Sequence, residues 1–121
     1  MLMSRVKICY TSTMVHKRTA VTAHFKQQEK YSPRNGKEKF LVQKLTEVKN
    51  PHVMEALLRD LCTLSEITEF SNRLEIARLL ANGHSYQEVA DIMSVSTTTV
   101  SRVAHWLYKG CGGYYEILLK K

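Results

Sequence analysis

The sequence predicts an all-α fold, because three separate signals of helix recur after the first third of the chain. Apolar residues recur at helical spacing from Phe40 onward. Ser/Thr-x-x-Glu capping boxes at Thr63–Glu66 and Ser85–Glu88 mark two helix starts. An Asn-Gly pair at 82–83 and glycines within 110–113 mark helix ends. These signals predict about six helices and no confident strand.

The first three helices are separated by recognisable caps. They are expected over about 38–49, 53–62 and 64–81. Asn50 ends the first helix and caps the second, and Pro51 suits the second helix's first turn because its φ is already helical. Together with a helix at 114–120, these three helices carry more apolar surface than one small protomer can hide, so an obligate homodimer is expected. The residues expected in the core or at that interface are Leu41, Leu45, Leu57, Leu61, Phe70 and Leu74.

Residues 85–108 fit a helix-turn-helix, in which only certain positions face inward. The inward positions are Val89, Ala90, Met93, Val95, Val100 and Val103. Ser94 stands at the corner where glycine is usual, and a positive φ there would cost some strain. An ordinary αα-hairpin is the alternative interpretation. After the glycines, YYEILLKK (114–121) is expected to form a short amphipathic helix.

Hydroxyl side chains cluster at the start of the second motif helix. With Val100 and Val103 inward, Thr97, Thr98 and Ser101 point away from the core. Hydroxyls donate to or accept from base edges in the major groove, and a threonine methyl can meet a thymine methyl. The alternative is that these residues only cap the helix. The predicted DNA-contacting residues are Gln87, Ser96, Thr97, Thr98, Thr99, Ser101 and Arg102.

The positive charge is concentrated at the N-terminus. Residues 1–38 contain eight Lys/Arg and two Glu, a net charge of +6, whereas residues 39–121 contain ten Lys/Arg and nine Asp/Glu, a net of +1. We therefore divide the chain into a basic arm, 1–36, and a helical domain, 37–121. The arm is expected to be flexible, or ordered only through a neighbour. It either contacts phosphate or is a solvated tail.

Several classes of function are disfavoured by what the sequence lacks. The three cysteines form no C-x-x-C pair and the five histidines have no ligand spacing, so no disulfide framework and no metal site are expected. No apolar run is long enough for a bilayer, and the N-terminus has no signal-peptide core, which predicts a cytoplasmic protein. No catalytic constellation is evident, so an enzyme is not expected.

The stretch LCTLSEITEFSNRLEIARLLANGHSYQEVADIMSVSTTTVSRVAHWLYKG resembles the Trp repressor superfamily, and within it the YerC/YecD-type branch. The resemblance covers about residues 37–121. It implies a six-helix fold, an intertwined homodimer and a helix-turn-helix that binds double-stranded DNA. The function implied is a transcriptional repressor that acts on a pseudo-palindromic operator.

The resemblance also implies an effector pocket. Arg73 and Arg102 match arginines that hold a tryptophan ligand, the first at the indole and the second at the carboxylate. Val103 replaces a glycine that gives the indole room, and Trp106 replaces a serine that meets the amino group. This added bulk is expected to fill the pocket, so no cofactor is predicted and a tryptophan corepressor is doubted. Arg73 and Arg102 then have structural or phosphate-binding roles.

The predicted DNA-binding module is electrically neutral. Residues 85–109 contain Arg102 and Lys109 against Glu88 and Asp91. The resemblance implies basic residues that face the groove or the phosphates on the first motif helix, but this chain has the uncharged residues Gln87 and Ala90 at those positions. The leading hypothesis is a sequence-specific DNA-binding regulator. The alternative is a helical protein-interaction domain whose helix-turn-helix no longer binds DNA.

Overall fold

A computed structural model describes residues 25–120, and the regular structure of this part of the chain is entirely helical. It contains α1 (Gly36–Glu47), α2 (Pro51–Leu61), α3 (Leu64–Ala81), α4 (Tyr86–Met93), α5 (Thr97–Lys109) and a π-helical turn (Tyr115–Leu119). The predicted helical class is thus confirmed over the described residues. Most of the predicted arm, residues 1–24, lies outside them.

The helix starts follow the predicted caps. The Asn50 side chain accepts a hydrogen bond from the backbone N–H of His52 at 2.8 Å, and Pro51 is the first residue of α2. At the start of α3, the Thr63 hydroxyl accepts from the Glu66 N–H at 3.1 Å, and the Glu66 carboxylate accepts from the Thr63 N–H at 2.9 Å. These bonds occupy N–H groups that have no partner within the helix.

The end of α3 is fixed by the predicted Asn-Gly pair. Gly83 adopts φ +95°, a conformation that glycine reaches without steric cost. Its N–H donates to the Leu80 carbonyl at 2.9 Å, and the His84 N–H donates to the Leu79 carbonyl at 3.1 Å. This pair of bonds is the Schellman arrangement. It closes α3 and sends the chain directly into α4.

The chain divides into two compact units, and the boundary falls within α3. Among the described residues, one unit comprises Tyr31–Asn72, and the other contains residues 25–30 and 73–120. We call the first the Tyr31–Asn72 unit and the described part of the second the C-terminal unit. No residue of α1 or α2 is buried. These two helices are short and leave much of their apolar surface in solvent.

The prediction that Leu41, Leu45, Leu57, Leu61, Phe70 and Leu74 form part of the core is wrong for the single chain. Leu61 is 52% exposed, Phe70 48% and Leu74 43%, and none of the six is buried. Their helical spacing indicates an apolar face, but spacing alone does not say what covers it. A role at an interface between two chains stays a prediction.

The core lies instead in the C-terminal unit, where the last part of α3 packs with α4 and α5. Its buried residues are Ile76, Ala77, Leu79, Leu80, Val89, Ala90, Val100, Val103, Ala104 and Leu107. Leu118 and Leu119 of the π-helical turn pack against this cluster. The predicted amphipathic α-helix at the C-terminus is therefore a π-helical turn in the described residues, which follows closely on the glycines at 110, 112 and 113.

No described helix is both long enough and apolar enough to cross a membrane.

Candidate nucleic-acid interface and adjoining cavity

The corner between α4 and α5 has the backbone geometry that the sequence suggested. Ser94 adopts φ +54° and ψ +46°, in the left-handed region. Its N–H donates to the Asp91 carbonyl at 3.4 Å, and the Val95 N–H donates to the Ala90 carbonyl at 3.0 Å. These bonds again satisfy the last carbonyls of a helix. A serine thus occupies the position where glycine would be free of strain.

The inward faces of α4 and α5 are closely packed. Val89 and Val100 are completely buried, Ala90 is 5% exposed and Val103 is 6% exposed. The small side chain of Ala90 fits the predicted close crossing of the two helices. Because it is buried, Ala90 cannot stand at a phosphate-facing surface position, where the resemblance would place it. Gln87, the other position that the resemblance places at the DNA, is exposed.

The N-terminal end of α5 presents hydroxyls to solvent. The Ser96 hydroxyl accepts from the backbone N–H of Thr99 at 3.1 Å and lies 3.1 Å from the Thr99 hydroxyl, so these two side chains form the cap. Thr97, Thr98 and Ser101 are exposed. Among the described residues, no hydrogen bond engages their three hydroxyls. These three hydroxyls are therefore available to a ligand, whereas the side chains of Ser96 and Thr99 form the N-cap of α5.

The charged groups near this surface are balanced. The Gln87 side-chain amide donates to the Asp91 carboxylate at 2.9 Å, and the Glu88 carboxylate accepts from the Ser85 N–H at 2.7 Å in a second capping box. Arg102 is exposed on α5, one turn beyond Thr98. The α4–α5 surface consequently offers hydroxyls, one amide and few cations.

A cavity of about 800 Å³ lies beside α5. Its lining residues are Arg73, Arg102, Val103, Trp106, Cys111, Gly113, Tyr114 and Ile117. The structure thus brings together all four residues that the resemblance assigns to an effector pocket. The expectation that Val103 and Trp106 fill the cavity is wrong for the described chain. Val103 is turned into the core, and Trp106 is 48% exposed at the cavity edge.

One wall of the cavity was not anticipated from the sequence. Cys111, Gly113, Tyr114 and Ile117 follow α5 on the segment that leads into the π-helical turn. Burial raises the pKa of the Tyr114 hydroxyl, and nearby Arg73 partly opposes that shift. The glycines at 110–113 indicated a break there, but not that the chain returns past α5. Within residues 25–120, no group of three or more His, Cys, Asp or Glu side chains is placed to hold a metal ion.

The all-helical fold of the described residues, the α4–α5 corner and the cavity beside α5 agree with a Trp repressor-like protein. A family model described as Trp repressor protein matches residues 37–121, which is most of the chain. The chain belongs to the Trp repressor family. The resemblance inferred from the sequence motifs is thereby confirmed.

Among curated proteins, the chain is similar to the uncharacterized protein YerC of Bacillus subtilis (strain 168). The two are 42% identical over 55 residues, which are 46% of this chain and 53% of YerC. The match therefore spans about half the length of that relative. No solved structure matches the chain.

Proposed function

We propose that the protein is a sequence-specific DNA-binding transcriptional regulator, a repressor, which binds as a homodimer to a pseudo-palindromic operator. The observation that carries the proposal is the exposed start of α5, where Thr97, Thr98 and Ser101 face solvent on a firmly packed helix pair. Membership of the Trp repressor family supports a DNA-binding regulator. Residues 85–108 then serve as a helix-turn-helix.

In this proposal the N-terminal end of α5 enters the major groove. The three hydroxyls read base edges, and the threonine methyls contact thymine methyls. The partial positive charge at the helix N-terminus favours a nearby phosphate oxygen. Ser96 and Thr99 hold the end of the helix in place, which fixes the register of the reading side chains.

The basic arm supplies the electrostatic part of binding. The α4–α5 surface has few cations, so counterion release from this surface alone contributes little. Residues 1–24 carry Arg5, Lys7, Lys17 and Arg18 and no acidic residue. They add affinity for any DNA sequence, while the hydroxyls of α5 choose among sequences.

A homodimer accounts for the apolar surface of the Tyr31–Asn72 unit. Its exposed large apolar residues include Phe40 at 59%, Leu61 at 52% and Leu64 at 64%. Several large apolar side chains exposed on one small unit are typical of a protein interface. In a two-fold dimer they would be covered by the same unit of the second chain.

The effector cavity is proposed not to bind free tryptophan with useful affinity. The resemblance implies that the residue at the position of Trp106 meets the ligand's amino group. The indole N–H of Trp106 can donate a hydrogen bond, but its nitrogen cannot accept one from an ammonium. Calorimetry with L-tryptophan should show no saturable micromolar heat. Saturable binding in that range would overturn this part of the proposal.

A second candidate is a helical protein-interaction domain whose helix-turn-helix no longer binds DNA. It is favoured by two exposed apolar residues on α4, Tyr86 at 41% and Ile92 at 56%, and by the balanced charge of the α4–α5 surface. A protein partner would cover these side chains, whereas phosphates would not. Binding to mixed-sequence DNA over a range of salt distinguishes the two candidates.

The test of base reading is Thr98→Ala, measured by fluorescence anisotropy on the preferred site and on random duplex at one salt concentration. Loss of a base contact should cost about 1–3 kcal/mol on the preferred site and much less on random DNA. Thr68→Ala, whose hydroxyl bonds the Leu64 carbonyl within α3, is the control and should change neither affinity. An equal loss on both DNAs would contradict the assignment of α5.

A further inference from the structure

The first described residues, 25–30, run beside the C-terminal end of α5. Three of their backbone N–H groups donate to carbonyls there, pairing Lys26 with Tyr108 (2.7 Å), Gln28 with Lys109 (3.2 Å) and Glu29 with Gly110 (3.4 Å). The last carbonyls of a helix have no partner within the helix. Residues 25–30 therefore provide donors for the end of α5 that are usually supplied by water or by a local cap.

The same segment also holds the chain that follows α5. The Phe25 ring stacks on the Tyr115 ring with centroids 4.4 Å apart and an interplanar angle of 22°. Phe25 also borders Gly112, where an added Cβ would lie 3.7 Å from its ring. A Glu29 carboxylate oxygen lies 4.0 Å from Nε2 of His105 on α5. The segment thus contacts α5, the glycine turn and the π-helical turn together.

These contacts join the two walls of the cavity. One wall is formed by Arg102, Val103 and Trp106 of α5, and the facing wall by residues of 111–117. Residues 25–30 contact both chain segments without lining the cavity. Residues 25–30 therefore bridge the chain segments that form the two walls, and they do so from outside the cavity.

We propose that Phe25–Lys30, a segment of the basic arm, is a releasable strap that sets the width of the cavity. Three hydrogen bonds and one ring stack are few, and Lys26 to Lys30 are exposed, so the strap opens well below the free energy of global unfolding. Coupling is reciprocal, so a ligand that fits the narrowed cavity strengthens strap docking. This inference does not depend on DNA binding.

Hydrogen exchange on the unmodified protein tests the release. The amides of Lys26, Gln28 and Glu29 should be protected, but should exchange faster than those of the buried α5 residues Val103 and Leu107. This order follows if the strap opens while the core stays folded. Absence of protection at the three amides, or exchange only together with the core, would overturn the proposal.

A matched pair of variants tests the link to the cavity. Lys26→Pro removes the N–H that bonds the Tyr108 carbonyl, whereas Lys26→Ala keeps the N–H and loses the same charge. In the proline variant, the amide hydrogens of Gln28 and Glu29 should exchange about two- to tenfold faster than in the unmodified protein. This range corresponds to the loss of one hydrogen bond. Acrylamide quenching of Trp106, the only tryptophan, should increase in the proline variant and not in the alanine variant.

A second pair decides the question if Lys26→Pro fails to fold, as judged by circular dichroism. Phe25→Ala removes the ring that stacks on Tyr115, and Phe25→Tyr keeps it. Quenching of Trp106 should rise in the alanine variant and return to the original value in the tyrosine variant. Equal quenching in both members of the pair that folds would overturn the coupling between strap and cavity.

Discussion

At the scale of single residues, Ser94 is the position where this chain departs most clearly from the least strained choice. It adopts φ +54° at the α4–α5 corner, and it is the only non-glycine residue with positive φ among those described. The left-handed conformation costs an L-residue about 1–2 kcal/mol that glycine avoids. The corner nevertheless forms, because the backbone hydrogen bonds of Ser94 and Val95 and the burial of one face of α4 offset this strain.

Ser94→Gly should therefore stabilise the protein. We expect the free energy of unfolding to rise by about 1 kcal/mol, since the strain relieved exceeds the greater freedom of glycine in the unfolded chain. Urea unfolding measures the change. Ser94→Ala is the matched control, since it keeps the Cβ and should bring no gain. Equal stability of the glycine and alanine variants would show that the corner is not strained.

At the scale of elements, α1 begins at an exposed hydrogen-bonded cluster. The Glu38 carboxylate accepts from the Tyr31 hydroxyl at 2.7 Å, from the backbone N–H of Arg34 at 2.9 Å and from the Arg34 guanidinium. Asn35 caps the helix by accepting from the Glu38 N–H at 3.0 Å. The bond from the Arg34 guanidinium, followed by those from the Tyr31 hydroxyl and the Arg34 backbone N–H, lowers the pKa of Glu38 from 4.5 to about 2.

This cluster predicts a pH dependence at the start of α1. The pKa of Glu38 is lower in the folded chain, so its ionised form stabilises the helix above the ordinary pKa of 4.5, and this contribution is lost as the pH falls towards 2. Helicity measured by circular dichroism should fall over this range more in the unmodified protein than in Glu38→Gln. Identical pH profiles would contradict the role of the carboxylate.

Two neighbouring glycines after α5 have different steric requirements. A Cβ at Gly110 would lie 2.3 Å from the Trp106 carbonyl oxygen, whereas a Cβ at Gly113 would meet nothing within 4 Å. Gly110→Ala should destabilise the protein by about 1–3 kcal/mol through overpacking, and Gly113→Ala should have little effect. Thermal unfolding compares them. Equal melting temperatures would contradict the close approach at Gly110.

The elements were well predicted from the sequence where local chemistry fixes them. The capping residues Asn50, Thr63 and Ser85 and the pair Asn82-Gly83 act within a few residues of their own position, so their patterns indicated helix ends correctly. The π-helical turn was not predicted, because it depends on how Leu118 and Leu119 meet the core. The cavity wall and the strap likewise depend on contacts between residues distant in the chain.

At the candidate site, the sequence correctly predicted which positions of α5 face solvent and which face the core. It did not predict the shape of the cavity beside α5. Helical spacing placed Thr97, Thr98 and Ser101 in solvent and Val100 in the core, as the structure does. The size of Trp106 suggested a filled cavity, yet its side chain lies half exposed at the edge. Side-chain bulk does not determine side-chain direction, and only the packed structure supplies it.

At the scale of the whole molecule, the apolar surface of the Tyr31–Asn72 unit predicts self-association. Sedimentation equilibrium at micromolar concentration should give twice the chain mass of 13.9 kDa. Leu61→Glu should lower that mass, because it places a charge on the apolar face, whereas Ile92→Glu on α4 should not. A 13.9 kDa species alone in the unmodified protein would contradict the homodimer.

Selection of bound duplexes from a random DNA pool, with the full-length protein at one stated salt concentration, tests the central claim most directly. If α5 reads bases in a two-fold dimer, the selected sequences should converge on a pseudo-palindrome whose half-sites lie about one helical turn apart. If no sequence is enriched and the protein binds no DNA even at low salt, the regulator proposal is contradicted and the protein-interaction domain replaces it.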